Sequence, residues 1–184
     1  MLLYRVFPRV EGARRNRPGH PLYVHTPQGS GRLDNPEHYL VRYFAATPAG
    51  AVAESFGTLT RWVPAMFVFP GLGPSASRAL GVYDVPDDTP VLDLDDARAL
   101  LDRDLRPTRV ITRDRPVTRA WALRVFQEAR RWAGVRWWSY YRPEWPIVGL
   151  WRDEGLRVRA AEPLSLDHPA VDEAARELAK ERAS

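Results

Sequence analysis

Tyr43-Phe44-Ala45-Ala46-Thr47-Pro48-Ala49-Gly50-Ala51-Val52-Ala53-Glu54-Ser55-Phe56-Gly57 is the stretch that decides the fold. Taken from Tyr39, its opening is apolar and aromatic, so Tyr39 to Ala46 reads as a core strand. Thr47 then offers a side-chain oxygen just ahead of Pro48. That is an N-cap followed by the first helical position, where proline costs no hydrogen bond, and it opens a helix from Pro48 to about Leu59. Helical periodicity sets Glu54 mid-helix, on the side of Gly50 and Ala51 and one turn before Thr58. A carboxylate on a helix that leaves a core strand this abruptly is held rigidly against the sheet.

Working outward, Leu2 to Phe7 alternates as a strand does, Glu11 to Gly19 is a polar, arginine-rich loop, and Leu22 to His25 is consistent with a short strand. Thr26 to Gly31 is a flexible turn whose glycines can take unusual dihedrals and let a ligand come close. Beyond the helix, short strands are expected at Met66–Phe69, Ala79–Val85 and Val91–Leu94, and a short helix from Asp95-Asp96 through Leu101, acids first. A clearer helix runs from about Val117 to Trp132, with Trp121, Leu123, Val125, Phe126 and Ala129 on its apolar face. Val135–Tyr140 and Ile147–Trp151 read as strands, with Trp137 and Trp138 on opposite faces, one core and one half-exposed. Leu156–Ala160 adds an edge strand, and Asp167 caps a charged helix to Ala183. Neither an internal repeat nor a domain linker is visible. Strands and helices mix without β-α-β alternation, so the expected fold is α+β, one domain over residues 1–184 with its core at about 4–151 and a C-terminal helix at about 167–183.

The 184 residues, 45% hydrophobic and 27% charged, suit one domain with a proper core. No apolar run approaches the roughly 20 residues of a membrane helix, and the N-terminus has no signal-peptide pattern. A chain without cysteine excludes disulfides and thiolate metal sites and fits a cytoplasmic location. Its four histidines (His20, His25, His38 and His168) are dispersed, so no metal site is expected. The net charge is +4, the pI near 9.7, and Lys180 is the only lysine. Most arginines are interleaved with acids, as in Asp102-Arg103-Asp104, which reads as solvated mixed-charge surface. The dense cluster Arg14-Arg15-Asn16-Arg17 reads first as an exposed loop and second as a phosphate contact.

Three separated segments each set one polar residue at the edge of an apolar run: Gly31-Arg32-Leu33-Asp34-Asn35-Pro36, Tyr43 to Ala53-Glu54-Ser55-Phe56-Gly57, and Gly134-Val135-Arg136-Trp137-Trp138-Ser139. Together with an opening Tyr4-Arg5-Val6, this order resembles the RES-domain family, named for its arginine, glutamate and serine. Arg32 matches the arginine of the family's Gly-Arg-x-(Asp)-Asn-Pro motif, Tyr43 and Glu54 the strand tyrosine and helix glutamate, and Ser139 the late serine. Leu33 departs from the aromatic residue that many members carry there, which weakens a stacking role at that spot.

The resemblance implies an ADP-ribosyltransferase-like mixed sheet flanked by helices. It also implies a bacterial toxin of a toxin–antitoxin pair that degrades NAD, with NAD as substrate and no other cofactor. The implied partner is an Xre-like helix-turn-helix antitoxin, through which any nucleic acid contact would run; a homodimer and inorganic phosphate as acceptor are compatible with it.

Cleaving the nicotinamide–ribose bond calls for fixed cations on the pyrophosphate and negative or polar groups around the ribose, where positive charge grows. Arg32 suits the first task, with Arg5 as second anchor. Glu54 suits the second. Ser139 could fix the nicotinamide-ribose end or a phosphate, and Tyr43 could stack or hydrogen-bond. Ser139 is not read as a nucleophile, because no Gly-x-Ser-x-Gly elbow surrounds it.

Taken singly, each residue has a plainer explanation: a surface ion pair for Arg32, a solvated helix face for Glu54, a polar filler for Ser139 and core for Tyr43. The acceptor also stays open. Water makes a glycohydrolase, phosphate a phosphorylase, and a protein side chain an ADP-ribosyltransferase. A basic single-strand-binding module using Arg14, Arg15 and Arg17, or a catalytically dead relative that only binds protein, are the competing classes.

Overall fold

The computed structural model describes residues 1–128 and 131–183. In chain order the elements are β1 (Leu2–Arg9), β2 (Arg42–Ala45), α1 (Pro48–Phe56), β3 (Arg61–Trp62), β4 (Ser77–Asp84), β5 (Val91–Asp93), α2 (Ala97–Leu101), α3 (Pro107–Ile111), α4 (Arg115–Gln127), β6 (Gly134–Trp138), β7 (Pro146–Leu150), β8 (Arg157–Pro163), α5 (Pro169–Glu177) and β9 (Glu181–Arg182). Seven strands form one mixed sheet in the order β5-β6-β7-β2-β1-β4-β8. Only the β5–β6 pair in it is parallel. With helices packed against that sheet, the α+β class expected from the sequence is what the structure shows.

The stretch that decides the fold behaves as its chemistry dictates. Thr47 is extended and its Oγ1 accepts from Gly50 N at 3.0 Å, while Pro48 starts α1. The helix buries Ala49, Gly50, Ala51, Val52, Ala53 and Phe56. So many small residues let its axis lie close to the sheet, and burial of Val52 and Phe56 contributes about 1.5–3 kcal/mol each. A charge at Val52, which is fully buried, would break this packing. The helix stops at Phe56, short of the expected Leu59; Trp62 closes that end by donating Nε1–H to Phe56 O at 3.2 Å.

Alternation along the strands separates two cores. Tyr4 and Val6 of β1 and Tyr43 and Ala45 of β2 join the larger one, with residues of α1, α4 and α5 such as Val52, Trp121 and Val171. Leu3, Phe44, Tyr83, Val148 and Leu150 form the smaller, on the opposite face, under Leu22 and Leu156. β1 and β4 pair over eight positions from Leu2↔Asp84 to Arg9↔Ser77, and β2 and β7 pair over four. Between β1 and β2 the ladder is one pair, Tyr4↔Ala45. That seam underlies the site.

Several expectations give way. Leu22 to His25 is not a strand: His20 Nδ1 accepts from Leu22 N and His20 O from Tyr23 N, which makes a turn that drops Leu22 into the smaller core. Met66–Phe69 is replaced by a 3₁₀ turn at Pro64–Phe67, where the proline fixes the first dihedral. Tyr39 lies outside β2, in an isolated bridge with Asn35. The long helix starts earlier, at Arg115, because Asp114 accepts from Val117 N as its cap; Ala129, placed on its apolar face, lies outside the described residues. His168, not Asp167, caps the last helix. That helix ends at Glu177, and the chain then pairs as β9 with β3. α3, five residues long, was not expected. Trp137 is buried and Trp138 half-buried, as strand alternation requires. Among the described residues no helix is long and apolar enough to cross a membrane.

Candidate functional site

A cavity of about 330 Å³ opens over the β1–β2 seam, within the range of about 300–1,000 Å³ usual for ligand pockets. Its walls come from Tyr4, Arg5 and Val6 of β1, Gly31 and Arg32 of the loop before β2, Tyr43 to Ala45 of β2, Glu54 of α1, Arg115 of α4, and Trp137 and Tyr140 around the end of β6. Arg32, Tyr43 and Glu54 are therefore together. Ser139 joins them through a hydrogen bond.

Glu54 faces the open cavity and stays accessible to water. Protein nevertheless crowds it enough that burial lifts its carboxyl above the usual carboxylate range, against the opposing pull of the Ser139 hydrogen bond and the Arg32 charge. Ser139, 2% exposed, donates its hydroxyl to Glu54 Oε1 at 2.6 Å and accepts from Tyr141 N at 3.0 Å. The backbone thus orients a hydroxyl that orients a carboxylate. So deeply buried a serine acts on Glu54 rather than on a ligand.

Arg32 makes an unforeseen set of contacts. Its Nη1 donates to Val110 O and to Thr112 O (2.8 Å), and its Nη2 to Ile111 O (3.3 Å). The guanidinium closes the C-terminal end of α3, where carbonyls lack helical partners and carry the negative end of the dipole. Of its five N–H donors, Nε–H and one on Nη2 remain for a ligand. Burial and the neighbouring charge of Arg115, partly offset by Glu54 and Tyr43, lower its pKa to about 10, so it remains a cation at neutral pH. Arg32 and Glu54 do not ion-pair, and both border the open space between them.

Tyr43 is fixed at its tip. Its hydroxyl donates to Asp34 Oδ1 at 2.6 Å and accepts from Leu33 N at 2.8 Å. Burial and the adjacent Asp34 push its pKa far up, so it stays neutral. The ring meets Trp137 edge-on, centroids 6.5 Å apart. Asp34, 4% exposed, accepts from Gly29 N (2.8 Å) and Gly31 N (2.7 Å) through Oδ2. It moors the loop that presents Arg32. Gly31 is required for packing, not for a left-handed backbone: a Cβ there would collide with the Tyr43 hydroxyl and the Asp34 carboxylate. Leu33 is fully buried, so its side chain serves the core and not a ligand.

Arg5 forms part of the wall, but alternation on β1 turns its guanidinium toward the other face, where Nη1 donates to Tyr23 O at 3.4 Å. Burial lowers its pKa, and the charges it feels are those of Tyr83 and Arg42. Arg32 feels a different set, so the two arginines are not one clamp. Arg14, Arg15 and Arg17 are exposed in their loop, and none lines this cavity.

Sequence reasoning gave no role to Asp34 and read Arg115, within Arg113-Asp114-Arg115, as solvated mixed-charge surface, whereas it lines the cavity. Asp34 had a readable signal: an aspartate three residues after a glycine can satisfy turn amides from its own loop. For Arg115 the signal was Asp114-Arg115-Pro116, a cap followed by proline, which starts the helix with the arginine in its first turn.

The sequence model described as the RES domain matches residues 2–169. A chain in the crystal structure of the M. tuberculosis MbcT-MbcA toxin-antitoxin complex is similar over 97% of this chain and 89% of its own, at 15% identity and a TM-score of 0.56. No curated protein matches significantly.

Proposed function

The chain belongs to the RES family, and from that premise we propose that it is a toxin that breaks the nicotinamide–ribose bond of NAD. The observation that carries this reading is Glu54: a carboxylate aimed into a cavity, fixed by Ser139 at 2.6 Å, with a guanidinium that it does not neutralise on the same walls. An isolated carboxylate of raised pKa in a cleft suits the stabilisation of positive charge better than structural pairing.

In this reading the C–N bond breaks with its electron pair passing to the nicotinamide nitrogen, and the ribose carbon becomes cationic. Ionised Glu54 stabilises that charge. Tyr43 and Trp137 wall the planar groups, and Arg32 offers its two remaining N–H donors to a phosphate oxygen. Attack by water then gives ADP-ribose and a proton; attack by inorganic phosphate gives the 1-phosphate ester of the ribose. No metal or other cofactor takes part. The cavity accepts about one nucleoside-sized half of the dinucleotide, the remainder extending through the open mouth.

A toxin needs a neutralising partner, and the similar structure is that of a toxin–antitoxin complex. We therefore assign this chain an antitoxin that covers the cavity, of the helix-turn-helix kind that the family resemblance implies. The test is to incubate purified protein with NAD, with and without phosphate, and resolve the products. Free nicotinamide in either mixture supports the reading, and its co-product, ADP-ribose or the 1-phosphate ester, identifies the acceptor. Intact NAD in both, with no ADP-ribosylated protein, would retire it.

A further inference from the structure

Arg115 stands at the first residue of α4, behind its Asp114 cap, and lines the same cavity as Arg32 and Glu54. Its Nε donates to Ser30 O at 3.2 Å, which pins the side chain to the loop that carries Arg32. Beyond that bond it is underused. Nη1 is removed from water and has no hydrogen-bond partner, and none of its four Nη donors is bonded to another described residue. A buried charged donor left unpaired is expensive and calls for an explanation.

Its surroundings sharpen the point. Arg115 lies close enough to Arg32 to act on it as a like charge. Among the described residues neither forms an ion pair, unlike the partly buried Arg42 and Arg103, which meet Asp153 and Glu128. Glu54 is the one carboxylate among the cavity-lining residues, and Ser139 already occupies one of its oxygens. The wall shared by Arg32 and Arg115 thus carries two positive charges and spare planar donors, with no ion-pair partner among the described residues. Guanidinium pairs of this kind match the oxygens of a phosphate.

We infer that Arg115 is the principal phosphate-binding residue of the cavity, its Nη donors gripping a phosphate group together with the two N–H donors that Arg32 has left after bracing α3. The division of labour follows from the hydrogen bonds: Arg32 chiefly shapes the site, and Arg115 chiefly holds the anion. The phosphate is either part of the dinucleotide's pyrophosphate or the free acceptor ion. This inference rests on the NAD reading above, and the measurements separate the two.

Titration calorimetry of NAD and of nicotinamide riboside, which lacks phosphate, is made on the full chain carrying Glu54→Gln to silence turnover, with Arg115 intact or replaced by Gln or Lys. The phosphate dependence of NAD consumption is measured in the chain with Glu54 intact. Arg115→Gln is expected to weaken NAD binding about ten- to a hundredfold, the loss of one charged hydrogen-bonded contact. It should leave nicotinamide riboside binding unchanged, and Arg115→Lys should recover part of the NAD affinity. If NAD affinity holds but half-saturation by inorganic phosphate rises by a similar factor, the anion gripped is the free acceptor, and the inference stands in that form. Unchanged NAD affinity together with unchanged phosphate dependence overturns it, leaving Arg115 as a loop fastener. Equal losses for NAD and nicotinamide riboside also overturn it, because the damage would then be to the site's shape. Should the chain with Arg115 intact bind neither NAD nor phosphate, the NAD reading itself fails and this inference with it.

Discussion

Two arginine–glutamate neighbourhoods in this molecule handle the same chemistry in opposite ways. At the corner between α2 and the end of α4, Arg103 meets Glu128 through Nε at 2.8 Å and Nη2 at 2.6 Å and donates again to Ala99 O, while Trp132 Nε1 adds a third bond to the carboxylate. Burial alone would raise the Glu128 carboxyl, but the Arg103 and Trp132 hydrogen bonds and the charges of Arg103 and Arg131 bring it below its ordinary value. In the cavity, burial raises Glu54, and one serine with a more distant Arg32 does not bring it back. The first pair closes on itself and holds structure. In the second, carboxylate and guanidinium stay apart, and the gap between them is the cavity proposed as the site. Identical residue types therefore say little until it is known whether they satisfy each other.

The sharpest way to break that contrast is Glu54→Gln. The amide keeps an acceptor for Ser139 but loses the charge, and NAD turnover should fall by about 10²–10³-fold while NAD binding persists; steady-state kinetics beside calorimetry would show it. Turnover that survives intact would make Glu54 as structural as Glu128. Next is Arg32→Ala, which should cost activity and, by leaving the α3 carbonyls without donors, about 2 kcal/mol of stability as read by urea unfolding. A variant that loses activity yet unfolds like the parent would contradict the bracing role.

At the closed corner, Glu128→Ala should lose about 1–2 kcal/mol of stability, since the pair is only partly buried, with NAD turnover unaltered. Ser139→Ala should have a smaller effect on rate, about tenfold, together with a shifted pH profile. The proposed reaction needs ionised Glu54, so activity should be present above that group's pKa and lost as pH falls through it. The acid limb should therefore lie above the ordinary glutamate value of about 4.3, and removing the serine's hydrogen bond should move it higher still.

The smallest effect concerns stability and pH. The native fold holds the Glu54 proton more tightly than the unfolded chain does, so ionising it costs stability: nothing below the unfolded pKa, the full amount above the raised native value. Glu54→Gln should thus melt slightly higher than the parent at neutral pH, and the gap should close on acidification. A gap that widens in acid would mean that the carboxylate is stabilised by its setting, as Glu128 is.

Local signals explain what the sequence revealed. Thr47-Pro48 specified the start of α1 because cap and proline act within one turn, and Trp137-Trp138 specified their faces because strand alternation is rigid. Where distant partners decide, reading failed. The Arg32 donors are taken by carbonyls some eighty residues away on a helix of five residues, too short to show a period. Leu22 to His25 has strand-like composition, but a histidine side chain accepts its backbone amide and makes a turn. Asp34 sits in a legible motif, but its mooring of loop amides is visible only once Gly29, Gly31 and Tyr43 are seen around it. The convergence of Arg32, Tyr43, Glu54 and Ser139 could be anticipated from the likeness of their order to the RES family; the share of work among them could not.

The solitary Tyr4↔Ala45 rung gives the main sheet the character of two rafts lashed at one point, with the cavity floating over the lashing. Cross-strand hydrogen bonds resist shear, so stiffness across that line must come from whatever bridges the rafts above it. A dinucleotide lodged there would act as a second lashing. Its imprint should be slower amide exchange along both rafts' inner strands, well beyond the atoms it touches.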